Sequence, residues 1–404
     1  MRRVAVTGQG LICALGNTVN ECWENAAAGK TGIQQLQDPG TPPYKFQSGA
    51  EARGFKPLEW FSEKELVLLE RFALMAGAAA REAVSQSGLA FSGELADQAA
   101  VITGSSVGGQ FTEEEGYKRL FGERNPRVAP LTIPRTMANA GASQISLEFG
   151  IHGPAYTVST ACSSSNHAIG QAFWMIRNGQ VEAAITGGSE AVFVEGLLRA
   201  WEAMRVVSPE PCRPFSADRR GLSLGEGAGI LVLEEWGHAK ARGARILGEI
   251  IGFGMSSDAH HITQPCVEGP AKAMIWALHD AKITPGEVDY INAHGTGTQA
   301  NDATESQAIR QVFGGKTDSL AVSSTKSMHG HTLGAAGAVE AVLTIKALSD
   351  GVVPPTVNFT ERDPACNVDI VMNHARRADI EVALSNTFAF GGLNATLVLR
   401  RGTD

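Results

Sequence analysis

Cysteine is scarce in this chain. Six in 404 residues are too few for a disulfide framework, and no two form a C-x-x-C pair. Cys13, Cys22, Cys212, Cys266 and Cys366 read as reduced thiols without a chemical role, which suits a reducing, cytoplasmic compartment. Positive charge is also short. Thirty-four Lys and Arg against 42 Asp and Glu leave a net charge of −8. That balance argues against nucleic acid as the main partner, because phosphate binding needs a basic face. No uninterrupted apolar run reaches the ~18 residues of a bilayer span. The opening Met1-Arg2-Arg3-Val4-Ala5-Val6 has the order of a secretion signal, but Gly8-Gln9-Gly10 ends the apolar run early. It reads as a first strand, Val4–Thr7, and its loop. No low-complexity linker divides the chain. What remains is 43% hydrophobic and 19% charged, the composition of a well-buried globular protein of two domains or one duplicated unit.

Short β-branched runs alternate with helical segments, which signals an α/β protein. Strands are expected at Val4–Thr7, Ala99–Thr103, Ala155–Ser159, Ala183–Thr186, Ile230–Glu234, Asp289–Asn292, Leu320–Ser323 and Ala395–Leu399. Several are apolar on both faces, as strands covered by helices should be. Ser62 and Glu65 have capping-box spacing, and Leu66, Leu69, Phe72, Ala73, Ala76 and Ala80 continue a helical period. Pro134 suits a helix start and Gly150 its end. Pro270 opens another helix, and Leu333 to Leu348 is apolar enough to be buried. A weak repeat is visible. Val158-Ser-Thr-Ala-Cys162 and Val322-Ser-Ser-Thr-Lys326 are each a strand and polar turn leading into a small-residue helix. A duplication would place the boundary near residues 245–255, with halves of 1–250 and 251–404. Two similar glycine-rich turns arising by chance is the other reading.

Four segments can carry chemistry. Cys162 sits where a strand ends and a helix begins, with its thiol near the positive helix end. That dipole favours the thiolate, a nucleophile suited to forming a thioester. A small buried residue would suit the same turn. In Tyr290-Ile-Asn-Ala-His294-Gly-Thr-Gly-Thr298 an apolar strand delivers a histidine into a Gly/Thr loop. In Lys326-Ser-Met-His-Gly-His331 a second histidine sits at a helix start with a lysine before it. Both neighbours disfavour imidazolium. A neutral imidazole can donate a hydrogen bond to a developing oxyanion, so two of them would stabilise an enolate. Each histidine alone equally suits a structural hydrogen bond. In Phe388-Ala389-Phe390-Gly-Gly392, glycines after an aromatic permit an exposed backbone N–H and a mobile gate, where plain core packing is the alternative. His329-Gly-His331 has the spacing of a metal pair, but no third ligand is apparent. Asp302 and Glu305 read as loop supports or as helix caps.

Together, Thr160-Ala-Cys162-Ser-Ser-Ser, Asn292-Ala-His294-Gly-Thr, Lys326-Ser-Met-His-Gly-His331 and Phe388-Ala-Phe390-Gly-Gly392 resemble the β-ketoacyl-[acyl-carrier-protein] synthases, in their elongating Cys-His-His class. The likeness runs from Arg3-Val-Ala-Val-Thr-Gly8 to the last strand. It implies a thiolase-type α/β fold, two βαβαβαββ halves in αβαβα layers. It implies an acyltransferase that condenses an acyl-enzyme thioester with malonyl-carrier, with loss of CO2, and extends the chain by two carbons. Cys162 would accept the acyl group. His294 and His331 would polarise the malonyl thioester, with Lys326 and Glu340 supporting them. Backbone N–H groups of Cys162 and Phe390 would form the oxyanion hole. Thr296 and Thr298 would contact the phosphopantetheine arm of an acyl carrier protein. Thr263, on the loop after His260-His261, would line the tunnel. No dissociable cofactor is implied. Asn292, Glu340, Ser385 and Asn386 match positions that hold a structural monovalent cation in relatives. The partners implied are the acyl carrier protein and a second chain, identical or related.

The chain departs from the housekeeping pattern. Val67 and Leu68 stand where relatives offer basic residues to the carrier, leaving Arg124 and Arg127 as candidates. Val107 is small for a pocket gate, Thr132 replaces a bulky aromatic that can limit the neighbouring subunit's pocket in relatives, and Ala389 replaces a gate glycine. These three set an expectation of a longer or more polar acyl tunnel, and Phe388 is expected among the substrate-binding residues. Cys162-Ser-Ser-Ser-Asn-His and Ala200-Trp-Glu-Ala-Met-Arg205 look closer to specialised nodulation-factor and polyene synthases. Two rivals stand beside this reading. One is a non-catalytic chain-length partner, which usually lacks the Cys. The other is a thiolase-fold enzyme acting on coenzyme A esters, which usually lacks the second His.

Overall fold

Two runs of five strands share one order in the computed structural model, which describes residues 1–402. The first run comprises β1 (Val4–Cys13), β2 (Ala99–Gly104), β3 (Ala155–Val158), β4 (Ala183–Glu190) and β5 (Gly227–Glu235). The second comprises β6 (Gly248–Ser257), β7 (Tyr290–Asn292), β8 (Ala321–Ser323), β9 (Val382–Ala389) and β10 (Leu393–Arg401). Across the sheet the order is β3-β2-β4-β5-β1 and then β6-β10-β9-β7-β8, with a short strand at Asp369–Ile370 on the outer edge. Each half therefore reads third, second, fourth, fifth, first in its own chain order. The outer three strands of each half are parallel to one another, and the two nearer the seam join them antiparallel. The halves meet where β1 pairs with β6 over Val4–Val6.

The main helices are α1 (Val19–Ala27), α2 (Glu63–Leu68), α3 (Arg71–Ser87), α4 (Thr132–Thr136), α5 (Ala140–Phe149), α6 (Ser164–Arg177) and α7 (Glu195–Met204), followed by α8 (Glu268–Ala281), α9 (Gln299–Phe313) and α10 (Ala336–Asp350). Helices α6 and α10 touch each other and the strands of both halves, as the middle layer of a thiolase-type fold. Their small residues permit this. A Cβ at Gly229 on β5 would meet the Ala338 carbonyl at 2.6 Å, and one at Gly337 on α10 would meet Asn166 Oδ1 at 2.4 Å. Helix α3 covers β1 and β5 from outside, and α8 covers β6 and β10. No helix among the described residues is long and apolar enough to cross a membrane.

Every expected strand is present, but the boundaries moved for identifiable reasons. Strand β1 does not stop before Gly8. Its glycines let α3 lie directly on the backbone: a Cβ at Gly8 would be 2.0 Å from the Ala83 carbonyl oxygen, and one at Gly10 would be 1.8 Å from that of Ala79. The expected cut at 250/251 falls inside β6. The Ser62–Glu65 capping box forms, but α2 ends at Leu68, and extended backbone at Leu69 and Glu70 restarts the helix as α3. There the Glu70 carboxylate accepts from Phe72 N–H at 3.1 Å. Pro134 lies inside the one-turn α4 rather than opening the long helix, which begins at Ala140 and ends, as expected, at a left-handed Gly150. Strands β6 and β9 were not anticipated, because Gly248-Glu-Ile-Ile-Gly-Phe and the Ser385-Asn-Thr run lack clean alternation.

Candidate active site

Five turns, from both halves, deliver side chains to one cavity of about 120 Å³, open at its mouth. The first follows β3. Ala161 adopts a left-handed φ of 49°, so the chain reverses sharply before α6. Ser164 Oγ locks the reversal, accepting from Thr160 N–H at 2.9 Å and donating to Ala161 O at 2.6 Å. Ser163 Oγ ties the same turn to the other half through Thr387 O at 3.0 Å and Leu393 O at 2.7 Å. Cys162 is thereby placed in the cavity wall.

The thiolate expectation needs correction for the resting site. Burial pushes the Cys162 thiol up to about 12, against the pull of Lys326 and of the Phe390 and Cys162 backbone N–H groups, which face the sulfur. The helix end is there, but desolvation outweighs it.

His294 and His331 meet edge to face, with ring centres 5.3 Å apart, and Phe388 lies 6.1 Å from His294. Both imidazoles are held well below the usual histidine range, first by burial and then by the Lys326 charge. They are neutral at pH 7. His331 Nδ1 accepts from Leu333 N–H at 3.3 Å, which leaves the proton on Nε2 as a donor. Glu305 shapes the other loop, since its two carboxylate oxygens accept from His294 N–H and Gly295 N–H, each at 2.8 Å. Asp302 accepts from Phe215 N–H at 2.8 Å and Gly297 N–H at 3.2 Å. Both acids are therefore loop supports. The helix cap is Thr298, whose hydroxyl accepts from Asn301 N–H.

Lys326 and Glu340 are fully buried behind the histidines and paired with each other. Burial pushes Glu340 up to about 7, opposed by Lys326. Glu340 Oε2 and Ser385 Oγ have no hydrogen-bond partner among the described residues. Asn292 pairs with Ser385 across β7 and β9, and the Oδ1 atoms of Asn292 and Asn386 already accept from Thr325 at 3.4 Å and Thr396 at 2.9 Å. Two orphaned buried oxygens beside them fit a monovalent cation. His329 takes no part in the cavity, and its Nε2 lies 2.9 Å from Thr325 Oγ1.

Thr296 and Thr298 line the cavity with hydroxyls 2.9 Å apart. Thr263, Phe388, Ala389 and Phe390 line it as well. His261 does so too, and its Nδ1 shapes the loop by accepting from Thr263 N–H at 3.1 Å. Gly391 N–H donates to Ile262 O at 2.8 Å, joining that loop to the Phe390 turn. Left-handed Gly391 and Gly392, rather than residue 389, supply the turn's backbone freedom.

Val107 does not line the cavity, and Thr132, expected against a neighbouring subunit's pocket, does not line this chain's own. Val107 is half-buried on a loop held by Glu190, and the Thr132 hydroxyl bonds to Ala129 O at 2.8 Å in α4. The apolar wall near Cys162 is instead Trp201, Val206 and Leu222, with Trp201 stacked 6.2 Å from Phe390. Trp201 stood in a segment noted for its likeness but carried no role. Glu190 was missed entirely. It is buried at the end of β4 and accepts from Ser105 Oγ at 2.9 Å, Ser106 N–H at 2.7 Å, Ser106 Oγ, Val107 N–H at 3.3 Å and Gly334 N–H at 3.0 Å. It thus fastens the Val107 loop to the turn after His331. A glutamate ending the Ala183–Thr186 strand was the one available signal.

Comparison with known proteins follows the same lines. The model "Beta-ketoacyl synthase, N-terminal domain" matches residues 1–239, and "Beta-ketoacyl synthase, C-terminal domain" matches residues 247–360. Nodulation protein E of Rhizobium sp. (strain N33) is 45% identical over 400 residues, covering 99% of both chains. The 3-oxoacyl-[acyl-carrier-protein] synthase 2 of Staphylococcus aureus (strain N315) is 40% identical over 407 residues, covering 99% of this chain and 98% of the other. Among solved structures, the ishigamide ketosynthase/chain length factor superposes with a TM-score of 0.94 at 37% identity, covering 99% of each chain.

Proposed function

The chain belongs to the β-ketoacyl synthase family, and from that premise we propose how its own residues divide the work of a decarboxylating Claisen condensation. The acyl group passes from a carrier-protein thioester to Cys162 Sγ, and the carrier thiol leaves with the thiol proton. Malonyl-carrier then enters, with Thr296 and Thr298 against its phosphopantetheine arm. His294 and His331, both neutral, donate to the malonyl thioester oxygen as CO2 leaves and negative charge builds there. The resulting carbanion attacks the Cys162 acyl carbon. Cys162 departs as the thiolate and takes a proton from solvent to restore the resting thiol, and a β-ketoacyl-carrier two carbons longer is released. The Cys162 and Phe390 N–H groups stabilise the tetrahedral oxyanion. The observation that carries this reading is the neutral His pair sharing one cavity with a buried thiol that faces two backbone N–H groups.

Lys326 and Glu340 are positioning residues, and burial, reinforced by the lysine charge, keeps the imidazoles neutral. A monovalent cation, when bound, would neutralise the Glu340, Ser385, Asn292 and Asn386 oxygens and stiffen the turn below Phe388. No dissociable redox group is required. The matched strand orders support two halves divided between Ala241 and Gly248. A second chain, identical or related, covers the apolar face of α4, α5 and β3, where Ile133, Leu147 and Tyr156 stand exposed. The compartment is the cytoplasm. The test is intact-mass measurement after incubation with acyl-carrier thioesters. Wild type gains one acyl group and Cys162→Ala gains none. An equal adduct on Cys162→Ala removes the assignment.

A further inference from the structure

At the other end of β10 from the catalytic cavity lies a second cleft. β10 starts at Leu393, beside the Phe390 turn, and ends at Arg401, in the cleft wall. At ~3.4 Å per residue its nine residues hold the two sites about 27 Å apart. The cleft exists because β1 pairs with β6 only as far as Val6. Beyond that point this edge of β1 has no neighbouring strand, and Gln9 N–H turns instead to Gln86 Oε1 at 2.7 Å.

The cleft is lined by Arg245, Lys346 and Arg401, by the amides of Gln9, Asn20 and Gln86, and by no Asp or Glu. Arg401 is engaged by Asp379 and Glu381, and Lys346 is held by Asp350 at 3.3 Å and lies 5.9 Å from the centre of the Trp23 ring. Arg245 is exposed and makes no ion pair among the described residues. Gln9 is 2% exposed, and its amide nitrogen, also buried, has no hydrogen-bond partner among the described residues. Gln86 has its oxygen occupied by Gln9 N–H, which leaves its nitrogen free to donate. A buried donor without an acceptor is unfavourable unless something supplies one. An unpaired Arg245, the Lys346 ammonium shared with Asp350 and several amide donors, with no carboxylate in the cleft lining itself, suit a multi-oxygen anion.

We propose that this cleft binds a small metabolite bearing a phosphate monoester or carboxylate group, at a site separate from the catalytic one. The test is calorimetric titration of the full chain with inorganic phosphate and with citrate, at constant ionic strength. Wild type should bind one of them saturably, and which one identifies the group. Arg245→Ser/Lys346→Ser should weaken it roughly tenfold or more, while acyl loading of Cys162 stays at the wild-type rate. Gln9→Leu, which keeps the side-chain volume, should weaken it in the same direction. Failure of both anions to saturate, or equal affinity in the double variant, overturns the proposal.

Discussion

At the residue scale, burial governs the reactive groups. With its thiol pushed up to about 12, Cys162 holds about one thiolate in 10⁵ at pH 7. Alkylation of the substrate-free protein at Cys162 should therefore be slow at neutral pH and still rising above pH 9. A rate that levels off below pH 9, followed by peptide mass mapping, would show that the dipole and Lys326 prevail after all. The histidines titrate the other way. Both are depressed below their unfolded value. As pH falls through ~6.5 the unfolded chain takes up protons that the folded chain refuses, so their contribution to stability is present above that pH and is lost in acid. Malonyl decarboxylation should stay flat from pH 8 to 6.5, because neither imidazole charges there. His294→Ala and His331→Ala should each lose about 2.7–4 kcal/mol of transition-state stabilisation, a hundredfold or more. Acyl transfer to Cys162 should fall much less, since it builds no enolate. Near-normal decarboxylation in both variants would refute the role.

At the element scale, the cavity depends on how turns are tied together. Glu190 joins the end of β4 to the Val107 loop and to the turn after His331. Glu190→Ala strands several buried donors at a cost of ~1–3 kcal/mol each. The melting temperature and acyl loading should fall together. Glu190→Gln, which keeps the shape but turns an N–H2 toward those donors, should recover little of either. Full recovery in the Gln variant would mean that shape alone matters. Trp201 on α7 sets the apolar wall and stacks on Phe390, whereas Val107 lies outside the cavity. Trp201→Ala should lengthen the longest acyl group found on Cys162 by intact mass, and Val107→Phe should leave it unchanged. The reverse pattern would restore the Val107 gate expected from sequence.

At the scale of the whole molecule, the sheet has an unprotected edge. β3 is its last strand, with residues of mixed exposure. Around it α5 carries Leu147 at 79% exposure, and Phe121, on the segment preceding α4, is 72% exposed. A bare edge with apolar residues around it is a surface that a second chain covers. Sedimentation should give a two-chain particle. Leu147→Glu with Phe121→Glu should shift it toward one chain and lower the melting temperature. An unchanged two-chain particle would place the interface elsewhere.

The amino-acid sequence alone determined the α/β alternation, eight of the ten main strands, the small-residue helices and the four reactive turns, because each is written in local spacing: β-branched runs, capping pairs, and glycines at positive φ such as Gly150 and Gly391. The nearness of His294 to His331 and to Cys162 could be inferred from those turns only through likeness, since the residues lie far apart along the chain. Three things belonged to tertiary structure alone. The Cys162 titration was one, because desolvation depends on everything packed around a group rather than on the helix it begins. The persistence of β1 through Gly8 and Gly10 was another, because those glycines answer to α3 and not to their neighbours in sequence. The last was the identity of the cavity wall. Trp201 reaches it from α7, Glu190 ties the Val107 loop to the turn after His331, and no spacing along the chain records which side chains such a fold will bring together.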